Sequence, residues 1–308
     1  MKFLLCFSLF CFFSMAMAQN NKASLSRLEI YDIRKGSRET IYEHKKHFEA
    51  PNWSPDGSFL LFNSAGRLYK MDLNGRKPEV MNTGFARQCN NDHGISPDGS
   101  FILLSNNDLE RKTGPSTGGT SRIYQLPVDG GEPKILTPIA ASYWHGISPD
   151  GKVIAYTASR NGEFDIYITH LNDNEWHDEI RLTDAPGLDD GPDYSPDGRY
   201  IYYNSYRNGS MEIWRMDADG SYKTQLTNDE YSNWFPHPSP DGKHLVFISY
   251  LEDQGYAHPP MKDVMLRLMD LETGEIERLC SFTGGQGTIN VPSWSPDGKR
   301  FAFVSYEF

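Results

Sequence analysis

Long apolar runs are scarce in this sequence. The stretch from Phe3 to Met15 is predominantly apolar, and no later segment approaches the ~20 apolar residues that a membrane-spanning helix needs. Lys2 precedes this stretch and Ala16-Met17-Ala18 follows it, a pattern typical of a secretory signal peptide that is cleaved near Ala18. We therefore expect an exported protein, periplasmic or secreted, with no membrane span.

Cysteine is also scarce. Cys6 and Cys11 fall within the predicted signal peptide, which leaves Cys89 and Cys280 in the mature chain. One pair is not a disulfide framework, so two separate thiols are the favoured interpretation, with a single disulfide as the alternative.

Basic residues are fewer than acidic ones. The chain has 30 Lys and Arg against 41 Asp and Glu, a formal net charge of -11. Such a surface repels phosphate backbones, which makes nucleic acid an unsuitable partner.

One tetrapeptide, Ser-Pro-Asp-Gly, recurs through the chain at irregular intervals of 42 to 56 residues. The six copies begin at Ser54, Ser96, Ser148, Ser195, Ser239 and Ser295. Proline presets φ for the first central position of a tight turn, and glycine accepts the left-handed residue that ends it. Repeats of roughly 40–50 residues built around such hairpins predict the blades of a β-propeller.

Each turn lies between two predicted strands. An apolar run such as "FLLF" or "YIYY" follows the turn, as expected for a strand covered on both faces. The segment before the turn contains proline at Pro192, Pro236, Pro238 and Pro292. A central strand excludes proline, so this segment is predicted to be the inner edge strand that lines the axial channel.

The last copy leaves only "KRFAFVSYEF" before the chain ends, whereas "RLEIYDIRKG" and "ETIYEH" near the N-terminus match the two strands it lacks. We predict an all-β, monomeric, six-bladed propeller of four-stranded antiparallel blades, its last blade closed by the N-terminal strands. The expected layout is a signal peptide at 1–18, a short N-terminal segment at 19–26 and one propeller domain at 27–308.

The stretches "YSPDGRYIYYNSYRNGSMEIWRMDADGSYKTQLTND" and "NWSPDGSFLLFNSAGRLYKMDLNG" resemble the blade repeat of TolB-like periplasmic propellers. The resemblance extends over residues 27–308. It implies the fold rather than a function, because the repeated residues are structural. TolB carries an additional N-terminal domain before its propeller, where the predicted mature chain has only a short segment.

In each blade, the inner strand begins on the face opposite the Ser-Pro-Asp-Gly turns, and we call the axial opening on that face the channel mouth. The candidate ligand-binding residues there are Asn52, Arg87, His93, His145, Asp190, Asp193, Arg207, His237 and Asn290. Insertions at residues 109–120 and 251–263 belong to opposite blades and are expected to wall the same opening. Candidates to stack on a sugar ring are Trp144, Trp234, Tyr231 and Tyr256.

Three of the candidates, His93, His145 and His237, are also candidate ligands of a divalent metal such as Mn, Ca or Zn. The "NWFPHPSPDG" stretch around His237 is similar to oligogalacturonate lyases, propellers whose channel holds a divalent metal through histidines. That resemblance implies a metal that acidifies the proton beside a uronate carboxylate, a base that removes it, and arginines that bind the acid.

Three interpretations of these residues stay open: polar filling of a wet channel, a site for a non-metal ligand, and a metal site. The leading functional prediction is a periplasmic binding or interaction module, rather than an enzyme. Its partner would be a small carboxylate- or sugar-bearing ligand or an envelope protein segment. The alternative is a metal-dependent lyase of acidic oligosaccharides, and a third hypothesis is a structural scaffold of the envelope.

Overall fold

The computed structural model describes residues 23–108, 119–171 and 178–308. Within these ranges the chain forms 23 β-strands and no helix, which confirms the all-β prediction. No helix long and apolar enough to cross a membrane occurs in the described part of the chain. The predicted signal peptide and most of the insertion at 109–120 lie outside the described residues.

The described chain begins with β1 (Leu25–Asp32) and β2 (Ser37–His44) and then forms five blades in succession. Blade one contains β3 (Glu49–Trp53), β4 (Phe59–Ser64), β5 (Arg67–Asp72) and β6 (Pro78–Val80). Blade two contains β7 (Cys89–Ile95), β8 (Phe101–Asn107), β9 (Ser121–Pro127) and β10 (Lys134–Ile135). Blade three contains β11 (Ser142–Ile147), β12 (Val153–Ser159), β13 (Phe164–His170) and β14 (Ile180–Arg181).

Blade four contains β15 (Asp189–Tyr194), β16 (Tyr200–Ser205), β17 (Glu212–Asp217) and β18 (Thr224–Gln225). Blade five contains β19 (Ser232–Pro238), β20 (His244–Tyr250), β21 (Lys262–Asp270) and β22 (Ile276–Gly284). The last strand is β23 (Arg300–Glu307). All five of these blades are four-stranded antiparallel sheets in chain order.

The sixth blade closes the ring as predicted. Strand β23 pairs antiparallel with β1, from Leu25 opposite Glu307 to Asp32 opposite Arg300, and β2 forms the outer edge. The inner strand of this blade is reduced to one bridge, between Trp294 and Phe301. Pro292 has no N–H to donate to a ladder, which is one reason for the short pairing. Because β1 and β23 share a sheet, the sixth blade joins the N-terminal strands to the last strand and completes the ring.

The Ser-Pro-Asp-Gly turns have the hairpin geometry that the sequence predicts. In the first copy, Ser54 Oγ donates to Asp56 at 2.7 Å and accepts from the Phe59 N–H at 3.0 Å. Gly57 has φ of 76°, in the left-handed region. The serine-to-aspartate bond recurs at 2.6 to 2.7 Å in the other five copies. The repeated motif therefore stabilises the same hairpin turn in every blade.

The inner strands are edge strands, as their prolines predict. Each of the five regular ones also contains a β-bulge, which the sequence did not predict. The bulges fall at Glu49/Asn52, Cys89/His93, Trp144/Gly146, Asp190/Asp193 and Trp234/His237. A bulge adds residues to one strand and re-aims the side chains around it. These bulges decide which candidate residues face the channel mouth.

The hydrophobic core lies between adjacent blades. One cluster, for example, joins blade six to blade one through Leu28, Phe48, Phe62 and Val304. Cys89 in blade two is buried and Cys280 in blade five is partly buried, and both are free thiols, in agreement with the favoured interpretation.

Candidate ligand-binding site at the channel mouth

A cavity of about 350 Å³ opens where the inner strands begin. Blades two to five and the segment between β22 and β23 supply its walls. The lining residues are Asn90, Asn91, Asp92, Asn107, Tyr143, His145, Thr157, Phe164, Leu188, Asp190, Phe235, Tyr256, His258, Gln286 and Asn290. Five amides, two carboxylates and four aromatic rings meet there. Neither lysine nor arginine occurs among the described residues that line it.

Of the nine candidate residues, His145, Asp190 and Asn290 line this cavity. Asn52 and Asp193 instead line a second cavity of about 200 Å³, beside Pro196 and Pro240 of the turns. We call this opposite opening the turn end of the channel. Both residues follow the bulge of their strand and stand two positions before the serine of the turn. The candidates that line the mouth stand three or five positions before the serine. The number of residues between a candidate and its turn is therefore the sequence signal that distinguishes the mouth from the turn end.

His93 and His237 line neither cavity. They are buried in the channel wall, with 0% and 1% of their surfaces exposed. His237 is fixed on both nitrogens, by Asp193 at 2.9 Å and by the carbonyl of Ile289 at 2.8 Å. Burial lowers the pKa of His93 to about 4, so its ring is neutral at physiological pH.

The three histidines therefore have separate surroundings. In the described part of the chain, no three or more His, Cys, Asp or Glu side chains come together in an arrangement that could hold a metal ion. The geometry gives the metal hypothesis no support.

The arginines predicted near the mouth are engaged elsewhere. Arg207 bonds both carboxylate oxygens of Asp189 at 3.2 Å and stacks over the ring of Trp214 at 4.5 Å. Arg87 is exposed and donates to the carbonyl of Gly84. A guanidinium beside a buried carboxylate pairs with it, because an unpaired buried charge is unfavourable. Neither side chain lines the cavity that an acidic ligand would enter.

His145 and Asp190 form an ion pair in the cavity wall. His145 Nε2 lies 3.1 Å from Asp190 Oδ1, and its Nδ1 lies 3.3 Å from the carbonyl of Asn290. Asp190 also accepts from Thr157 Oγ1 at 2.7 Å and from the Gly191 N–H at 2.8 Å. Burial disfavours both charges, but their mutual attraction outweighs it. The pKa of His145 rises to about 8 and that of Asp190 falls to about 2.

Asp92 is a site residue that the sequence prediction missed. It lines the cavity and is 6% exposed, and burial raises its pKa to about 7, with Asp190 and Glu49 adding to the rise. The signal was present in "NNDHGISPDG", where Asp92 immediately precedes His93. The bulge between Cys89 and His93 has two extra residues. Asp92 lies in this bulge and lines the cavity, whereas His93 lies in the wall.

The insertion at 251–263 contributes to the wall, as predicted, through Tyr256 and His258. His258 Nε2 lies 3.7 Å from Asp190 Oδ2, and its ring packs on Trp234 at 4.6 Å and Phe235 at 5.2 Å. Burial lowers the pKa of His258, which keeps this ring neutral near pH 7.

Of the four aromatic residues predicted to stack on a sugar, Tyr256 lines the cavity. Trp144 and Trp234 are buried in the blades, at 1% and 0% exposed. Tyr231 instead lies under the guanidinium of Arg267, at 5.2 Å. The cavity takes its other rings from Tyr143, Phe164 and Phe235, which the sequence did not single out.

A buried polar atom at the cavity has no partner. Asn91 Nδ2 makes no hydrogen bond in the described structure. The side chain of Gln286 is instead a hydrogen-bond partner of His258. Buried polar groups are almost always hydrogen-bonded, so Asn91 Nδ2 is a candidate to bind a ligand.

Phe235 has a φ of 53°, in the left-handed region, and so do Ala50 at 57° and Gly191 at 63° in the bulges of β3 and β15. The conformation of Phe235 therefore belongs to the bulge of its strand.

Fold and cavity together define a six-bladed propeller with a polar and aromatic pocket at one end of its channel. The family model described as the TolB beta propeller domain matches residues 16–176 and 139–264. The chain belongs to this family.

Two comparisons combine nearly 50% identity with coverage of most of the chain. The uncharacterized protein Atu1656 of Agrobacterium fabrum is 49% identical over 282 residues, 91% of this chain and 92% of that protein. A solved TolB-type structure from Agrobacterium tumefaciens has 48% identity and a TM-score of 0.85, covering 91% of this chain and 98% of that one.

More distant comparisons show the fold alone. TolB from Acinetobacter baumannii is 20% identical with a TM-score of 0.63, covering 84% of this chain and 64% of that one. The oligogalacturonate lyase solved with manganese is 17% identical with a TM-score of 0.54, covering 90% of this chain and 78% of that one.

Proposed function

We propose that this protein is an exported, monomeric binding module of the periplasm that holds a small, hydroxyl-rich ligand of the sugar class. The ligand occupies the 350 Å³ cavity at the channel mouth. Export is supported by the signal pattern in residues 1–18 and by membership of the TolB propeller family.

The observation that carries this proposal is the chemistry of the cavity wall. Amides bond readily to hydroxyl groups, and Asn91 Nδ2 has no partner in the described structure. Aromatic faces such as those of Tyr143, Phe235 and Tyr256 suit the apolar faces of a pyranose ring. Amides and aromatic rings in one wall are typical of a site that binds hydroxyl groups and ring faces together.

The cavity favours a sugar over the other partners. A carboxylate-bearing ligand requires a free cation. The described lining residues include neither lysine nor arginine, and the His145 ring is already paired with Asp190. A volume of 350 Å³ lies near the lower end of the range for small-molecule pockets, roughly 300–1,000 Å³, which favours a small ligand over a protein segment.

No observation favours the lyase alternative. The arginines that it requires are either exposed or paired with carboxylates. The resemblance to the solved lyase, at 17% identity, extends to the fold. Catalysis is therefore not part of the proposal.

The test is isothermal titration of the mature, untagged protein with a panel of monosaccharides and disaccharides, beside the variant Asn91→Leu. We expect at least one sugar to bind and the variant to bind it about tenfold more weakly, because one buried hydrogen bond is lost. Asn74→Leu, at an exposed turn position, is the matched control and should bind as the wild type does. Absence of binding across the panel would overturn the proposal and favour the scaffold hypothesis.

A further inference from the structure

The Asp92 side chain has no partner in the described structure. Its backbone N–H donates to Asn90 Oδ1 at 3.1 Å, but no described residue donates a hydrogen bond to its carboxyl group. The residue is 6% exposed and lines the cavity at the channel mouth. A carboxylate in this position is unfavourable unless a proton or a cation neutralises it.

The other charged groups of the cavity neutralise one another. His145 and Asp190 form an ion pair at 3.1 Å, and Asp190 accepts two further hydrogen bonds. His258 is directed at Asp190, at 3.7 Å, and packs on two aromatic rings. Asp92 is consequently the one acidic group among the described lining residues that no basic side chain contacts.

We propose that the ligand of this cavity is a hydroxyl-bearing primary amine of the amino-sugar class, and that Asp92 binds its ammonium group. This inference rests on the proposed function, since it assumes a ligand in the same cavity. It names the ligand's charge, which the proposed function leaves open.

The surroundings of Asp92 suit an ammonium group in two further ways. The rings of Tyr143, Phe235 and Tyr256 line the same cavity and offer the negative faces that attract cations. The unpaired amide nitrogen of Asn91 can donate to a hydroxyl group that the amine carries. A simple alkylamine would leave that nitrogen unsatisfied, which is why the proposal specifies a hydroxyl-bearing one.

The test compares three probes that share a ring: glucosamine, glucose and N-acetylglucosamine. Of these, glucosamine alone carries an ammonium group. Titration calorimetry near neutral pH should show that the wild-type protein binds glucosamine at least about tenfold more tightly than the two neutral sugars, because a hydrogen bond to a charged group is gained.

Three variants accompany the wild type. Asp92→Asn keeps the shape and removes the charge, and it should bind glucosamine no more tightly than glucose. Asp92→Glu keeps the charge and should retain part of the preference. Glu79→Gln removes an exposed acid on the outer strand β6 and should leave the preference unchanged. Melting curves of all variants establish that each is folded.

The outcomes separate the two proposals. If the wild type binds glucose as tightly as glucosamine, and Asp92→Asn binds both as the wild type does, the amine inference is wrong and the sugar site stands. The carboxyl group of Asp92 would then be neutralised by a proton rather than by an ammonium group. If none of the three probes binds, and the wider sugar panel also fails, both proposals are wrong.

Discussion

Two buried histidine–aspartate pairs lie along one channel, and they consist of the same residue types with similar partners. His145 of blade three pairs with Asp190, and its second nitrogen approaches the carbonyl of Asn290. His237 of blade five pairs with Asp193, and its second nitrogen bonds to the carbonyl of Ile289. Each histidine thus links blade four to the segment that leads into blade six.

The pairs differ in how much of each faces a cavity. Both His145 and Asp190 line the cavity at the mouth. In the other pair Asp193 lines the smaller cavity at the turn end, whereas His237 is closed into the wall and its own carbonyl accepts a bond from Trp294 Nε1 at 3.0 Å. Residue type therefore does not identify the site in this protein, because a histidine paired with an aspartate lines a pocket in one case and braces the channel wall in the other.

The largest effect is expected at the brace. Asp193→Ala removes one partner of a buried pair and leaves His237 Nδ1 without its hydrogen-bond partner at 2.9 Å. We expect the free energy of unfolding to fall by about 3 kcal/mol, measured by urea denaturation. Asp193→Asn, which retains a hydrogen-bond acceptor, should lose less. A loss below about 1 kcal/mol for Asp193→Ala would show that the pair does not brace the channel.

At the mouth, removal of the Asp92 carboxyl group should raise the free energy of unfolding rather than lower it. The folded pKa of Asp92 is about 7 against an ordinary value of 3.8, so the folded state holds a proton that the unfolded state releases between these pH values. Stability should therefore decline as pH rises from about 4 to about 7. The groups that influence Asp92 are His145, which lowers its pKa, and Asp190 and Glu49, which raise it.

Asp92→Asn should abolish this decline and be more stable than the wild type at pH 8, by at least about 1 kcal/mol. A separate decline should persist in the variant. His145 has its pKa raised from 6.5 to about 8, so its contribution is fully present below 6.5 and is lost as pH rises through 8. Urea denaturation at a series of pH values measures both. If the free energy of unfolding changed with pH in the same way in the wild type and in Asp92→Asn, the assignment of Asp92 as a buried, unpaired carboxyl group would be wrong.

The smallest effect is expected at the turns. Ser195→Ala removes the hydroxyl that donates to Asp197 at 2.6 Å and accepts from the Tyr200 N–H at 2.9 Å. Because a neutral hydrogen bond contributes only about 1 kcal/mol net, we expect a loss of about 1 kcal/mol in the urea experiment. Ligand affinity, measured by calorimetry, should not change. A weaker ligand affinity would mean that the turn end is energetically coupled to the cavity at the mouth.

Much of the fold follows from the sequence because its signals are local. The hairpin at Ser54 depends on residues within five positions of it, and the same bonds form in every copy. The sequence also predicted the edge strands from their prolines and the closure of the ring from the missing strands of the last repeat.

The site was predicted less completely. Of the nine candidates, three line the cavity at the mouth, and Asp92, Phe235 and His258 were not chosen. His93 and His145 stand at the same place in their repeats, three positions before the serine, yet His145 lines the pocket and His93 lies in the wall. Period-two alternation cannot anticipate this difference, because the bulge that precedes His93 has two extra residues, whereas the bulge of β11 has one and falls at His145 itself.

The sequence by itself thus determined the blade number, the turn chemistry and the way the ring closes. Local dihedral preferences and patterns of apolar residues are sufficient for these features. The tertiary structure alone decided which polar residues share a cavity, which histidine is paired with which aspartate, and that Asp92 has no partner. These are contacts between blades tens of residues apart, and they depend on the bulges and on the ring that brings the inner strands to one axis.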